Sequence, residues 1–148
     1  MSNLYLGENR QTWKTPKKLY EEFINAGYFD PCPADPQFDG LAVEWQEKNF
    51  VNPPYDESKE WAKKALEEAR KGKVCVLLIP ARTSTRYFKA LCDYGAHIVF
   101  FRGRLHFDDG EVSAPFSSML VCLNLGEPWT FEIKGAKDYD IKTNRKHS

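Results

Sequence analysis

The sequence lacks the patterns that mark metal-binding, membrane-spanning and repeat proteins. Its four cysteines, Cys32, Cys75, Cys92 and Cys122, are widely and irregularly spaced, so neither a zinc pattern nor a CxxC pair is present. The longest apolar run, around residues 74–80, is too short to span a bilayer. We expect no signal peptide, and the sequence shows no internal repeat or low-complexity tract. We therefore expect no metal, no membrane partner and a reducing, cytoplasmic compartment.

An excess of basic residues is also lacking. Lys plus Arg and Asp plus Glu both number 21, which gives a net charge of zero. Proteins that bind nucleic acid often carry a basic excess, so any such contact has to come from a local basic patch. A protein that never touches nucleic acid remains an open alternative. The 148 residues, of which 42% are hydrophobic, suit one globular domain with a core.

Helical and extended patterns alternate along the chain, which predicts an α/β fold. Thr15 is expected to cap a helix that starts at Pro16 and ends at Gly27, and Thr83 or Thr85 to cap another that ends near Tyr94. A third helix is expected from Asp56 or Ser58 to about residue 71. Strands are predicted at residues 28–30, 49–51, 74–79, 97–101, 117–125 and 129–133, with a hairpin at 102–112 that turns at Asp109-Gly110.

This alternation predicts one sheet that is mainly parallel, with antiparallel strands at its C-terminal edge. We expect residues 1–12 to be a mobile segment, residues 13–135 to be the domain and residues 136–148 to be a polar tail. Ligands of such sheets bind at the carboxyl ends of strands. Asp30, Asn52 and Pro80 all lie at predicted strand ends, so we expect the site there.

The tetrapeptide Asn52-Pro53-Pro54-Tyr55 is the strongest local signal. It suits methylation of an amino group such as N6 of adenine, a poor nucleophile because its lone pair is delocalised into the ring. The Asn52 side-chain oxygen and the Pro53 carbonyl can accept both amine hydrogens and favour a tetrahedral nitrogen. The prolines remove backbone donors and stiffen the turn, so the acceptors are held in place.

The ring of Tyr55 offers a face on which an extracted base can stack, worth roughly 1–3 kcal/mol. A sulfonium methyl donor has a good leaving group, so direct in-line transfer requires neither a metal nor a covalent nucleophile. The alternative is a structural Pro-Pro turn that is followed by a surface tyrosine.

Further segments occur around this loop in a defined order. They are Trp13-Lys14-Thr15-Pro16, Phe29-Asp30-Pro31-Cys32, Asp39-Gly40-Leu41 with Trp45, Leu78-Ile79-Pro80-Ala81-Arg82-Thr83 with Tyr87-Phe88, Arg102-Gly103-Arg104-Leu105-His106-Phe107 and Ala114-Pro115-Phe116-Ser117-Ser118-Met119. Together with the tetrapeptide they give a sequence that resembles the phage-type (Dam-like) DNA adenine-N6 methyltransferases of bacteriophages and prophages. The resemblance covers roughly residues 11–125.

The resemblance implies a Rossmann-like class I methyltransferase sheet, S-adenosylmethionine as cofactor, double-stranded DNA as partner and adenine-specific DNA-methyltransferase activity. Catalysis would fall to Asn52, Pro53, Pro54 and Tyr55. The cofactor would be bound by the residues of two segments, namely Trp13, Thr15, Pro16, Asp30, Pro31 and Cys32. Asp30 would accept from the ammonium group of the cofactor or organise the water around it; otherwise it is a turn residue before Pro31.

The sequence departs from the wider methyltransferase pattern in two respects. No glycine-rich GxG follows the first predicted strand. No single acidic residue stands out for binding the ribose hydroxyls of the cofactor, since Asp35, Asp39 and Glu44 are all possible. From the length of 148 residues we also expect no separate target-recognition domain.

Four arginines form the predicted basic patch, and they are Arg82, Arg86, Arg102 and Arg104. Arginine suits paired contacts with phosphate. The alternative for each of them is solvated surface charge or a structural ion pair.

Several functions therefore remain open besides DNA methylation. The tetrapeptide also serves the methylation of an RNA base or a protein glutamine. A non-catalytic module that binds cofactor, DNA or a host protein on the same fold is the alternative outside the enzyme class.

Overall fold

In the computed structural model, which describes residues 14–108 and 112–140, a five-stranded sheet organises the chain. The strands are β1 (Lys48–Val51), β2 (Val74–Pro80), β3 (His97–Arg102), β4 (His106–Phe107), β5 (Val112–Ser113), β6 (Ser118–Leu123) and β7 (Thr130–Gly135). The helices are α1 (Lys17–Ile24), α2 (Ser58–Ala69) and α3 (Arg86–Tyr94), with 3-10 turns at Tyr55–Glu57 and Ala136–Tyr139. The predictions for Trp13, for the Asp109-Gly110 turn and for the last eight residues lie outside the described residues.

The sheet has the order β1-β2-β6-β3-β7. β1 is parallel to β2 and β3 is parallel to β7, whereas β6 is antiparallel to both of its neighbours. The α/β class is thus confirmed, but the expectation of antiparallel strands at the C-terminal edge is wrong, because β6 lies at the centre. Every residue of β6 is buried, and a strand covered on both faces belongs in the interior of a sheet.

The first predicted strand, at residues 28–30, is reduced to one parallel bridge between Phe29 and Asn49. The Phe29 N–H donates to the Lys48 carbonyl and the Phe50 N–H donates to the Phe29 carbonyl, both over 2.8 Å. This bridge extends the sheet beyond β1. It brings Asp30 beside the carboxyl end of β1, where the sequence places Asn52.

Helices cover both faces of the sheet. Trp61 of α2 and Leu91 of α3 belong to the apolar cluster on one face. Leu19 of α1 and Phe107 of β4 belong to the cluster on the other face. This double cover explains why β2 is buried from Cys75 onward.

Trp45 belongs to the apolar core. Its side chain is buried, its ring stacks on Trp61, and its indole N–H donates to the Gly40 carbonyl over 2.8 Å. A Cβ atom at Gly40 would lie 2.0 Å from the Pro31 carbonyl oxygen. The Asp39-Gly40-Leu41 segment therefore packs directly under the loop that carries Asp30.

The helix caps were predicted with mixed success. Thr85 caps α3 as predicted, because its hydroxyl accepts from the Phe88 N–H over 3.2 Å. Thr15 does not cap α1; Pro16 precedes the first helical residue, and the Thr15 hydroxyl bonds elsewhere. Neither Asp56 nor Ser58 caps α2, which follows directly on the 3-10 turn.

Candidate active site

The site lies at the edge of the sheet where the parallel strands end. β1 ends at Val51 and β2 at Pro80, and the antiparallel β6 begins at the same edge with Ser118 opposite Pro80. The tetrapeptide that starts at Asn52 follows β1 directly. The prediction that the chemistry-bearing residues gather at one strand edge therefore agrees with the geometry of the sheet.

The side chain of Asn52 is oriented by Thr15. Its amide nitrogen donates to Thr15 Oγ1 over 3.0 Å, although the two residues are 37 positions apart. Because this bond holds the nitrogen toward Thr15, the amide oxygen lies on the other branch of the planar amide. Thr15 and Pro16, both predicted to bind cofactor, are thus next to the predicted catalytic loop.

The turn after Asn52 is rigid. Pro53 and Pro54 are buried, and the Pro54 carbonyl accepts from the Glu57 N–H over 2.8 Å. The Ser58 hydroxyl donates to the Tyr55 carbonyl over 2.8 Å. No donor among residues 14–108 and 112–140 bonds the Pro53 carbonyl oxygen. This carbonyl can therefore act as a fixed hydrogen-bond acceptor.

A pocket opens beside the turn. Its lining includes Asn52, Pro53, Tyr55, Phe107, Phe116 and Ser118. The ring of Tyr55 contacts the ring of Phe116, with centroids 5.2 Å apart and planes tilted by 56°. The cavity volume is about 10 Å³, room for about one water molecule. The pocket in this form is smaller than a nucleobase.

Ser118 is a polar residue in this pocket that the sequence analysis did not single out. It is 1% exposed, and its hydroxyl makes no hydrogen bond with the part of the chain that the structure describes. Buried polar groups in folded proteins almost always have a partner. Nothing in the sequence marks Ser118, because serine is ordinary at the start of a strand.

The β4–β5 hairpin borders the pocket and is bonded to Lys14. The Lys14 N–H donates to Asp108 Oδ1 over 2.6 Å, and the Asp108 N–H donates to the Lys14 carbonyl over 3.0 Å. These two bonds join the residue before Thr15 to the end of β4. Phe107, the neighbour of Asp108, lines the pocket.

Asp30 is partly buried and accepts two hydrogen bonds. Its Oδ1 accepts from the Cys32 N–H over 2.9 Å, and its Oδ2 accepts from the Tyr20 hydroxyl over 3.2 Å. Burial raises the pKa of Asp30, and these two hydrogen bonds oppose the shift. Burial and the neighbouring carboxylate raise the pKa of Tyr20 to about 12. The turn across Pro31, given above as the alternative role of Asp30, is therefore present.

The other residues of the Asp30 loop are held under the sheet edge. Pro31 and Cys32 are both buried. The ring of Tyr20, whose hydroxyl binds Asp30, also packs edge-on against Phe50 of β1. α1 therefore supports both loops, Asp30 through Tyr20 and Asn52 through the preceding Thr15.

The four predicted DNA-binding arginines are all exposed, and Arg82 contacts the tetrapeptide. The guanidinium of Arg82 lies over the ring of Tyr55, 5.8 Å from its centroid. Arg86 is the first residue of α3. The strand register places Arg102 level with Ala81, about two strand spacings or 10 Å away. Arg104 follows in the loop before β4.

Two further observations concern metal binding and membrane spanning by the described residues. Among residues 14–108 and 112–140, no three or more His, Cys, Asp or Glu side chains are grouped so that they could hold a metal ion. Within the same residues, the helices are too short or too polar to cross a membrane.

The comparison with known families agrees with this geometry. The family model described as DNA N-6-adenine-methyltransferase (Dam) matches residues 2–134. No curated protein and no solved structure matches the chain. The family match spans the Asp30 loop, the tetrapeptide and every strand of the central sheet except the last residue of β7. The chain therefore belongs to the DNA N-6-adenine-methyltransferase (Dam) family.

Proposed function

We propose that the protein transfers a methyl group from S-adenosylmethionine to N6 of adenine in double-stranded DNA. The observation that carries this proposal is the orientation of Asn52 by Thr15 at the carboxyl end of β1. It orients the Asn52 amide at the start of the turn that also carries the Pro53 carbonyl. The family to which the chain belongs supports DNA adenine methylation as the reaction.

The residues beside the tetrapeptide fit the cofactor in their chemistry. Asp30 supplies a carboxylate for an ammonium group, and its two hydrogen bonds from Cys32 and Tyr20 leave further lone pairs on the oxygens. Thr15 and Pro16 lie next to Asn52, where a methyl group has to be delivered. When bound, S-adenosylmethionine supplies an electrophilic methyl group on a sulfonium sulfur for direct in-line transfer.

The tetrapeptide then acts on the amine. The Asn52 side-chain oxygen and the Pro53 carbonyl accept the two N6 hydrogens, which draws the lone pair out of conjugation with the ring. Both acceptors are held before the reaction, Asn52 by Thr15 and Pro53 by the turn that Glu57 closes. Preorganised acceptors of this kind require no rearrangement when charge develops.

The base has to leave the duplex, at a cost of a few kcal/mol. Stacking on Tyr55 offsets part of this cost, roughly 1–3 kcal/mol. Tyr55 is in contact with Phe116 and Arg82. We propose that the base displaces the Phe116 contact, while Arg82, Arg86, Arg102 and Arg104 bind the flanking phosphates.

We also propose that the sheet is a Rossmann-like class I methyltransferase sheet in which β6 is the inserted antiparallel strand. Four of its five strands point the same way, and their carboxyl ends carry the site.

The division into residues 1–12, 13–135 and 136–148 stays a prediction. The proposed cofactor and substrate imply the cytoplasm of a bacterial host as the place of action.

The experiment is incubation with tritiated S-adenosylmethionine and, in parallel, unmethylated double-stranded DNA, single-stranded DNA, RNA and protein. The proposal expects radioactivity in double-stranded DNA. Incorporation only into RNA or protein would assign another substrate. If calorimetry shows cofactor binding and no substrate is labelled, the chain is a binding module that uses the fold without turnover.

A further inference from the structure

The Ser118 hydroxyl is a buried polar group that the steps above leave without a role. It lines the same pocket as Asn52, Pro53 and Tyr55, and within residues 14–108 and 112–140 its side chain has no hydrogen-bond partner. A buried hydroxyl without a partner is destabilising, since its desolvation is not compensated. Alanine would fill nearly the same space without this desolvation cost. We therefore expect the hydroxyl to bind a partner that enters the pocket.

The chemistry of adenine identifies that partner. Asn52 and Pro53 together supply two acceptors for the two N6 hydrogens. The ring nitrogens on either side of the amino group, N1 and N7, are both hydrogen-bond acceptors, and each can bind a donor. Of the pocket residues, Ser118 has the buried hydroxyl, and this group can rotate to donate.

We propose that Ser118 donates a hydrogen bond to a ring nitrogen next to the amino group and so selects the base and fixes its orientation. This inference rests on the proposed function. The position is rigid, because Ser118 begins β6 opposite Pro80 and the preceding Ser117 carbonyl accepts from the Ala81 N–H over 2.8 Å. A donor on a central strand is held more precisely than a donor on a loop.

The test compares the wild type with Ser118→Ala on three duplexes that carry adenine, 1-deazaadenine or 7-deazaadenine at the target position. The quantity is the ratio of kcat/KM between the two enzymes on each duplex, so that the intrinsic reactivity of each base cancels. We expect Ser118→Ala to lower kcat/KM on adenine roughly 10-fold, as for loss of one hydrogen bond. On one of the two deaza bases the ratio should fall to about one, which identifies the ring nitrogen.

Ser117→Ala is the matched control, since Ser117 is the exposed neighbour, and we expect it to retain wild-type kcat/KM. Urea unfolding provides a second readout, in which the midpoint of Ser118→Ala should equal or exceed that of the wild type. A lower midpoint would show that the hydroxyl has a structural partner and would overturn the inference.

The kinetic outcomes separate this inference from the proposed function. If the wild type methylates adenine and Ser118→Ala is equally active, or loses the same factor on all three duplexes, the inference alone fails. If the wild type does not methylate adenine in any duplex, the proposed function fails and the inference fails with it.

Discussion

The amide nitrogen of Asn52 donates to Thr15 Oγ1 over 3.0 Å, which joins two segments 37 residues apart. Asn52 follows β1, whereas Thr15 precedes α1. An asparagine amide can face either way, and only its oxygen can accept hydrogens from an amine. In the proposed reaction, Thr15 therefore determines which end of Asn52 faces the substrate.

Replacing Thr15 by Val tests this role, because valine keeps the shape and removes the hydroxyl. We expect kcat to fall about 10-fold, equivalent to about 1.4 kcal/mol in the barrier. Thr15→Ser restores the hydroxyl and should recover most of the activity. If Thr15→Val and Thr15→Ser are equally impaired, the hydroxyl does not orient Asn52 and the residue acts through packing alone.

Asp30 gives a prediction about cofactor affinity. Replacing it by Asn removes the negative charge but keeps acceptor and donor atoms for Cys32 and Tyr20. We expect calorimetry to show at least 10-fold weaker binding of S-adenosylmethionine, since a charge-assisted hydrogen bond is lost. Glu60→Gln, at an exposed position on α2, is the control and should bind normally. Unchanged affinity in Asp30→Asn would leave Asp30 as a turn residue.

Arg102 and Arg104 give a prediction about the salt dependence of DNA binding. If both bind phosphate, the double change to Ala should weaken binding and lower the slope of log K against log salt by about 2. The matched control is Lys59→Ala with Lys63→Ala, because these two lysines are exposed on α2. Equal slopes in the arginine variant and the wild type would make these arginines ordinary surface charge.

The sequence predicted local features better than long-range ones. Thr85 was recognised as a cap because its partner, the Phe88 N–H, is three residues away. Thr15 was misjudged as a cap because its actual partner, Asn52, is remote in sequence. The central place of β6 was missed for a similar reason: strand pairing joins Ser118 to Pro80, and no local pattern indicates it.

Part of the candidate site was also beyond the reach of sequence patterns. Asn52 stood out because two prolines and a tyrosine follow it and because this order suits amine chemistry. No comparable motif surrounds Ser118 in the sequence. Its burial without a hydrogen-bond partner among the described residues becomes visible only once β6 is paired with β2. The same applies to Phe116, whose contact with Tyr55 joins two residues far apart in the sequence.

Glu68 provides a prediction about stability against pH. Its buried carboxylate binds Lys64, Lys71 and Lys73. Burial raises the pKa of Glu68, but the hydrogen bonds from Lys73, Lys64 and Lys71 outweigh this and lower the pKa to about 2. Because the folded-state pKa lies below the ordinary 4.5, the stabilisation is full above pH 4.5 and is lost as the pH falls toward 2.

Glu68→Gln should therefore lower the free energy of unfolding at pH 7 by about 3 kcal/mol and flatten its decline between pH 4.5 and 2. Chemical denaturation at a series of pH values measures both quantities. Glu67→Gln, at the exposed neighbouring position on α2, is the control and should change neither. A Glu68→Gln profile that is parallel to the wild-type profile would contradict the assignment.

The most direct test of the account is the mass of the nucleosides released from duplex DNA after reaction with S-adenosylmethionine that carries a deuterated methyl group. The wild type should yield deuterated N6-methyladenine. Asn52→Ala should yield none while binding the cofactor within a few-fold of the wild type. Label on another nucleoside, or normal turnover by Asn52→Ala, would contradict the central claim that Asn52 activates the adenine amine.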